Sequence, residues 1–104
     1  GDFKISVHGV YHPIKAASIW IDGKTYPLRS LQAKTDYRKS STGQRISVRR
    51  FSSDLALNEA LQHSMRVRLS ADLQSYSLTR TLKRPGYSDP TWSTILADLN
   101  SADE

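Results

Sequence analysis

The side chains that could serve as general bases or metal ligands are few in this chain. It has three histidines and no cysteine, which excludes thiol nucleophiles and thiolate metal sites. His8 and His12 are four residues apart, a spacing that suits metal binding on a helix, but Gly9 and Pro13 predict a strand end and a loop there. His63 lies at the predicted end of a helix, where the helix dipole favours a cation. We therefore expect no metal site.

Carboxylates and serines show no catalytic arrangement either. No serine lies in a Gly-x-Ser-x-Gly turn, the strained turn that presents the nucleophile in many hydrolases. Asp22 is explained as a turn residue and Asp54 and Asp89 as helix caps, and the other acids form no pair of the kind that glycosidases use. The sequence thus predicts a protein that is not an enzyme and needs no cofactor. An enzyme whose site is assembled from distant residues is the third hypothesis.

Basic residues give the main functional signal, because they are segregated along the chain. All fifteen Lys and Arg precede Pro85, whereas residues 85–104 carry four acids and no base. Residues 29–50 hold seven bases against one acid, and residues 65–84 hold five against one. Together with a net charge of +5, this distribution favours an anionic partner.

The arginines of these two segments predict a cationic platform. Arg45 and Arg49 alternate onto one face of a predicted strand. Arg66 and Arg68 share a face of a second strand, and the two sets converge if both strands lie in one sheet. The predicted partner-binding residues are Arg38, Arg45, Arg49, Arg66, Arg68, Tyr37 and Tyr76, in which guanidinium forks bind anions and tyrosines stack on unpaired bases. Alternatively, these arginines are ordinary solvent-face residues that protect strand edges from aggregation.

Trp20 is out of phase with the apolar residues beside it. Ile19 and Ile21 occupy one face of the predicted strand, so Trp20 points to the other face. An exposed tryptophan near a hairpin tip would be a protein contact. The alternative is that a loop or a helix covers it.

The elements that position these side chains follow from period-two alternation and turn signals. Phe3, Ile5 and Val7 predict a first strand. Asp22-Gly23 predicts a two-residue type I′ turn. The register that follows sets Ile21 opposite Lys24, Ile19 opposite Tyr26 and Ala17 opposite Leu28. A second hairpin is predicted over residues 33–51 with its loop at 40–43, and a third over residues 65–82 with its turn at 72–75.

Alternation in the second hairpin also divides its side chains between two faces. Ile46 and Val48 point one way. Arg45, Ser47 and Arg49 point the other way and are expected to form a wet, cationic side.

Two helices and a tail complete the expected fold. A short helix is predicted over residues 55–64, and a loop over residues 83–89. A second helix is predicted after Asp89-Pro90, with Trp92, Ile95, Leu96 and Leu99 on one face. Residues 101–104 are expected to be a frayed acidic tail. The fold class is α+β in a single domain, residues 1–104: an antiparallel sheet of about five to six strands in three hairpins, with two short helices packed on one face.

One resemblance bears on location. A strand through Val7, a His-Pro loop and the segment 19–23 followed by Tyr26 resemble the small β-domains of bacterial cell-envelope secretion components. The resemblance covers less than a third of the chain and implies an exported, periplasmic location. No apolar run approaches the ~20 residues needed to cross a bilayer.

The sequence therefore predicts a small binding or adaptor domain. Its expected partner is an acidic protein or an anionic polymer that docks on the arginine-bearing face. A nucleic-acid-binding domain that tracks the phosphate backbone is the second hypothesis.

Overall fold

The computed structural model describes residues 2–89, which form two antiparallel β-sheets and one α-helix. The elements in chain order are β1 Asp2–His8, β2 Ile14–Ile21, β3 Lys24–Pro27, β4 Arg29–Ser30, β5 Asp36–Lys39, β6 Arg45–Ser52, α1 Leu55–Gln62, β7 Val67–Leu73, β8 Ser77–Arg84 and β9 Tyr87–Ser88. Sheet A has the order β1-β6-β4, with β5 also paired to β6, and sheet B has the order β3-β2-β7-β8-β9. The predicted α+β class with antiparallel sheets is confirmed.

The prediction of a single sheet is wrong. The β5–β6 hairpin belongs to sheet A with β1, whereas the β7–β8 hairpin belongs to sheet B with β2. Both sheets and α1 contribute to one hydrophobic core, whose most deeply buried members are Phe51, Ile14, Ile19, Leu57, Leu61, Val67 and Leu82. Alternation shows which residues of a strand share a face, but it does not show which strands share a sheet.

Only one of the two predicted helices lies in the described part of the chain. The second one, with its predicted apolar face of Trp92, Ile95, Leu96 and Leu99, and the predicted tail at 101–104 both lie outside residues 2–89. The described part therefore supports an α+β-like domain that is mostly strand and has one helix.

The first strand and the first hairpin are confirmed. Phe3, Ile5 and Val7 are buried in β1. Asp22 and Gly23 adopt φ angles of 46° and 98° in the two-residue turn between β2 and β3, as a type I′ turn requires. The predicted register also holds: Ile21 pairs with Lys24 and Ile19 with Tyr26, and the Leu28 backbone N–H donates to the Ala17 carbonyl at 2.9 Å.

Asp22 also links this turn to the segment between α1 and β7. Its carboxylate accepts hydrogen bonds from the backbone N–H of Met65, at 3.0 Å, and of Arg66, at 2.7 Å. These bonds hold the chain before β7 against the β2–β3 turn. The sequence predicted β7 from Met65, but the strand begins at Val67 and Met65 is 65% exposed.

Replacement of Asp22 by Ala is expected to lower the free energy of unfolding by about 1 to 2 kcal/mol. The change removes a charged acceptor of two backbone N–H groups and places an alanine in the left-handed region. Asp22→Asn keeps one acceptor oxygen and tolerates positive φ, so it should cost about half as much. Urea unfolding followed by circular dichroism measures both, and equal losses for the two variants would contradict the linking role.

The helix and its cap are confirmed. Asp54 is the N-cap residue, and its side chain accepts a hydrogen bond from the Leu57 backbone N–H at 2.8 Å. The helix buries Leu57 and Leu61 in the core and ends at its C-cap His63.

The region after β7 differs from the prediction. The third hairpin forms, but its turn lies at residues 74–76, where the Leu73 N–H donates to the Tyr76 carbonyl at 2.8 Å. The loop predicted over residues 83–89 is wrong, because β8 continues to Arg84 and turns at Pro85-Gly86 into β9. Gly86 has a φ of 81°, which this tight turn uses.

The division of β6 into two faces is confirmed, but the prediction of a wet side is wrong for Ser47 and Arg49. Directly opposite residues of an antiparallel pair share a face, and β1 places Phe3, Ile5 and Val7 opposite Phe51, Arg49 and Ser47. The inner face of β6 therefore carries Ser47, Arg49 and Phe51. Ser47 is completely buried and Arg49 is half-buried, so the expected wet side is instead the inner side. Ile46 and Val48 are buried on the opposite face.

Candidate anion-binding surface

The connection between β1 and β2 crosses the inner face of β6 and is fixed there by Ser47. The Ser47 hydroxyl donates to the Val10 carbonyl at 2.7 Å and accepts from the His12 backbone N–H at 3.0 Å. The Gly9 N–H donates to the Arg45 carbonyl at 2.7 Å. A buried serine on a strand thus satisfies two backbone groups of loop 9–13.

This loop brings together three residues that we call the tyrosine–arginine cluster: Tyr11, Tyr37 and Arg45. The Tyr11 and Tyr37 rings meet edge to face with centroids 5.5 Å apart. The Arg45 guanidinium lies 5.6 Å from the centroid of the Tyr11 ring, within the range of a cation–π contact. Tyr11 is 38% and Tyr37 48% exposed, so the cluster is a surface feature.

Tyr76 approaches the same loop from sheet B. Its ring lies 6.0 Å from the His12 ring in an edge-to-face arrangement, and it is 42% exposed. Loop 9–13 therefore contacts Tyr37 and Arg45 through Tyr11 and contacts Tyr76 through His12. Two of the predicted tyrosines and one predicted arginine are gathered around one loop.

The strand β5 adds two exposed cations beside the cluster. Arg38 and Lys39 are both exposed. Lys39 lies opposite Arg45, on the same face as Tyr37, whereas Arg38 lies opposite Ile46 on the other face. The edge of sheet A therefore presents positive charge on both of its faces.

Arg49 is engaged within the fold. Its guanidinium donates to the backbone carbonyl of Ile14 at 2.6 Å and to that of Gln32 at 2.8 and 3.3 Å. It also lies over the Phe51 ring, 5.8 Å from the centroid. These contacts tie β6 to β2 and to the segment before β5. Arg49, which the sequence predicted to bind a partner, therefore stabilises the fold.

The other predicted arginines lie away from β6, in or next to sheet B. Arg68 is in β7, with its guanidinium 4.3 Å from the centroid of the Trp20 ring on the neighbouring strand. Trp20 is half-buried beneath it. Arg66 is exposed, just before β7. The condition for a shared platform is not met, because β6 and β7 belong to different sheets.

A cavity of about 500 Å³ lies where the β8–β9 hairpin meets the segment before β7. Its cations already have contacts: the Lys83 ammonium donates to the Ser64 carbonyl at 2.7 Å, and the Arg84 guanidinium lies 5.3 Å from the centroid of the Tyr87 ring. This cavity contributes positive surface charge, but it offers less aromatic surface than the cluster.

The described part of the chain has a large excess of positive charge. Residues 2–89 hold all fifteen Lys and Arg and seven of the ten Asp and Glu, a net charge of +8. Between side chains of residues 3–89 the structure has one ion pair, Arg80 with Asp89 at 2.6 Å. Asp89 is buried there, and its predicted role as a helix cap concerns a helix outside the described part. Arg38, Lys39 and Arg45 form no ion pair with the acids of residues 3–89.

Sequence reasoning missed Tyr11 and considered His12 only as a metal ligand, a role that it rejected. Both lie between two strands, in a stretch that the sequence marks only by Gly9 and Pro13. The signal that could have drawn attention to them is two adjacent aromatic rings in a short loop, since exposed aromatics are common at binding surfaces.

Comparison of the chain with protein-family models, with curated proteins and with solved structures finds no match. Within residues 2–89, no group of three or more His, Asp or Glu side chains could hold a metal ion. The helix in this part of the chain is too short and too polar to cross a membrane.

Proposed function

We propose that this chain is a non-enzymatic binding module whose tyrosine–arginine cluster contacts an acidic protein segment. The observation that carries the proposal is the position of Lys39 and Arg45 beside exposed tyrosines at the edge of sheet A, with Arg38 on the other face of the same edge strand. The domain also has a large excess of base. An arginine fork binds a carboxylate through two hydrogen bonds, and a tyrosine contributes apolar area and a hydroxyl.

The cation–π contact makes Arg45 a better anion receptor than a free surface arginine. Tyr11 lies beneath the guanidinium at 5.6 Å, and Tyr11 is itself held by the Ser47 bonds to its neighbours Val10 and His12. A side chain that is already ordered loses less conformational entropy on binding.

A single-stranded nucleic acid is the second candidate. Exposed aromatic rings next to cations are the surface on which unpaired bases stack. Tyr11, Tyr37 and Tyr76 supply three such rings around one loop. Gel-shift titration with single- and double-stranded RNA and DNA tests this candidate. Submicromolar binding that weakens with salt supports it, and no binding at low salt removes it.

Reversal of charge at the cluster and at the adjacent Arg38 of β5 tests the main proposal. The double variant Arg38→Glu, Arg45→Glu is expected to weaken binding of a fluorescent polyglutamate peptide at least about ten-fold at low salt, because two attractive contacts become repulsive. Fluorescence anisotropy measures the affinity, and its salt dependence should decrease in the variant.

A matched control separates the cluster from net charge. Lys24→Glu with Arg66→Glu changes the net charge equally, at two exposed positions in or next to sheet B. If this control loses as much affinity as the cluster variant, the peptide responds to overall charge and the cluster is not its binding surface.

A further inference from the structure

The outer edge of β5 has backbone groups without a partner among residues 2–89. Ser40 and Gln44 close the β5–β6 hairpin, with the Ser40 N–H donating to the Gln44 carbonyl at 2.9 Å. Hydrogen bonding alternates along an antiparallel pair. Asp36 and Arg38 therefore direct their backbone groups toward β6, whereas Tyr37 and Lys39 direct theirs outward.

The bonds made by β6 give the same alternation. The Arg45 carbonyl accepts from Gly9 on the β1 side, whereas the Arg50 carbonyl accepts from Leu31 on the β4 and β5 side. The backbone N–H and carbonyl groups of the even-numbered residues of β6 therefore point toward β5. Their partners in register are Asp36 and Arg38, which leaves the amides and carbonyls of Tyr37 and Lys39 at the open edge.

We propose that an extended acidic peptide adds to sheet A as a strand along the open edge of β5. This inference rests on the proposed function and names the form in which its partner binds. Two N–H groups and two carbonyls supply the backbone hydrogen bonds of strand addition. Successive side chains of the added strand alternate between the two faces. On one face of the sheet, the side chains of the added strand lie beside Tyr37 and Lys39, with Arg45 on the next strand, β6. On the other face, they lie beside Arg38.

The charge of the edge selects the partner. Short strands with basic side chains commonly protect a sheet from pairing with another copy of itself. The same cations repel a basic strand and attract an acidic one. The one acid of β5, Asp36, accepts a hydrogen bond from the Gln32 side-chain amide at 2.8 Å.

A pair of peptides with identical charge separates strand addition from simple attraction. The probe is a labelled peptide in which pairs of Glu alternate with Val, and its match carries methyl groups on every backbone nitrogen. Strand addition needs the peptide N–H groups, so methylation is expected to weaken anisotropy-measured binding about ten-fold or more.

Two substitutions of Lys39 provide the test from the side of the protein. Lys39→Ala removes the charge, and Lys39→Pro removes the charge and the outward N–H without breaking the ladder to β6. Lys39→Pro is expected to bind the unmethylated peptide at least about five-fold more weakly than Lys39→Ala, while circular dichroism shows the same folded spectrum for both.

Each outcome decides between the ideas. Loss of binding on both methylation and proline substitution supports strand addition. Equal binding of the two peptides overturns strand addition and leaves the acidic-partner function standing. Failure of the unmethylated peptide to bind at low salt overturns the proposed function itself, and binding of single-stranded nucleic acid in its place supports the second candidate.

Discussion

Replacement of Arg49 by Ala is expected to lower the free energy of unfolding by about 3 kcal/mol. The guanidinium supplies hydrogen bonds to the carbonyls of Ile14 and Gln32, at 2.6 to 3.3 Å, and it covers one side of Phe51. Hydrogen bonds from a charged donor contribute about 1.5 to 3 kcal/mol each, and the truncation leaves part-buried carbonyls without partners. Urea unfolding followed by tryptophan fluorescence measures the loss.

Two further variants show whether the fork or the charge matters at this position. Arg49→Lys keeps the charge but cannot reach two carbonyls in the same geometry, so it should recover less than half of the loss. Arg45→Ala removes an arginine from the same face of the strand at an exposed position and should change stability by about 0.5 kcal/mol or less. A similar small effect at Arg49 and Arg45 would contradict a structural role for Arg49.

This difference between two arginines also affects how binding experiments should be designed. Alternation places Arg45 and Arg49 on the same face, which suggests reversal of both charges as the test of a cationic strand. Because Arg49 holds β6 to β2, reversal of its charge would disturb the fold together with the surface. Arg38 with Arg45 is the better pair, since both are exposed.

Local structure was predictable where the signal is contained within a few residues. Phe3, Ile5 and Val7 define β1 by alternation alone, and Asp22-Gly23 fixes both the turn and the register of β2 with β3. In each case the residues that determine the structure are neighbours in sequence. Asp54 as the N-cap of α1 is predictable for the same reason.

The arrangement of the sheets and of the candidate site depends on contacts between distant segments. The pattern of β6 alone favours Ile46 and Val48 as core residues, but pairing with β1 turns Ser47, Arg49 and Phe51 inward. Polar residues can occupy that inner face only because loop 9–13 and the Ile14 carbonyl satisfy them. Nothing within β6 itself encodes those partners, which are more than thirty residues away.

The composition of the candidate site also depends on contacts between distant segments. Tyr37 and Arg45 were predictable as exposed residues of one hairpin, and Tyr76 as a residue of another. Their common neighbours, Tyr11 and His12, come from a connection between strands of different sheets. A contact of this kind follows from topology, and the assignment of strands to two sheets was the step that alternation could not supply.

Replacement of Ser47 by Ala is expected to cost about 2 to 3 kcal/mol of stability and to loosen loop 9–13. The hydroxyl is completely buried and bonds to the Val10 carbonyl and the His12 N–H. Its removal leaves both backbone groups without a partner, and each such group costs about 1 to 3 kcal/mol when it is buried. The expected loss of stability is smaller than the cost of two fully buried unpaired groups, because the loop can move so that water binds them.

Hydrogen exchange of the His12 amide measures directly whether loop 9–13 is held in place. Its N–H donates to Ser47 in the wild-type protein, so its hydrogen exchange, measured by NMR, should be at least about ten-fold faster in Ser47→Ala. Ser52→Ala is the matched control, since Ser52 is a partly buried serine on the same strand and outside the loop contact. It should change stability by about 0.5 kcal/mol or less. If Ser47→Ala matches this control in both stability and His12 exchange, the serine does not hold the loop, and Tyr11 is not ordered for binding by this route.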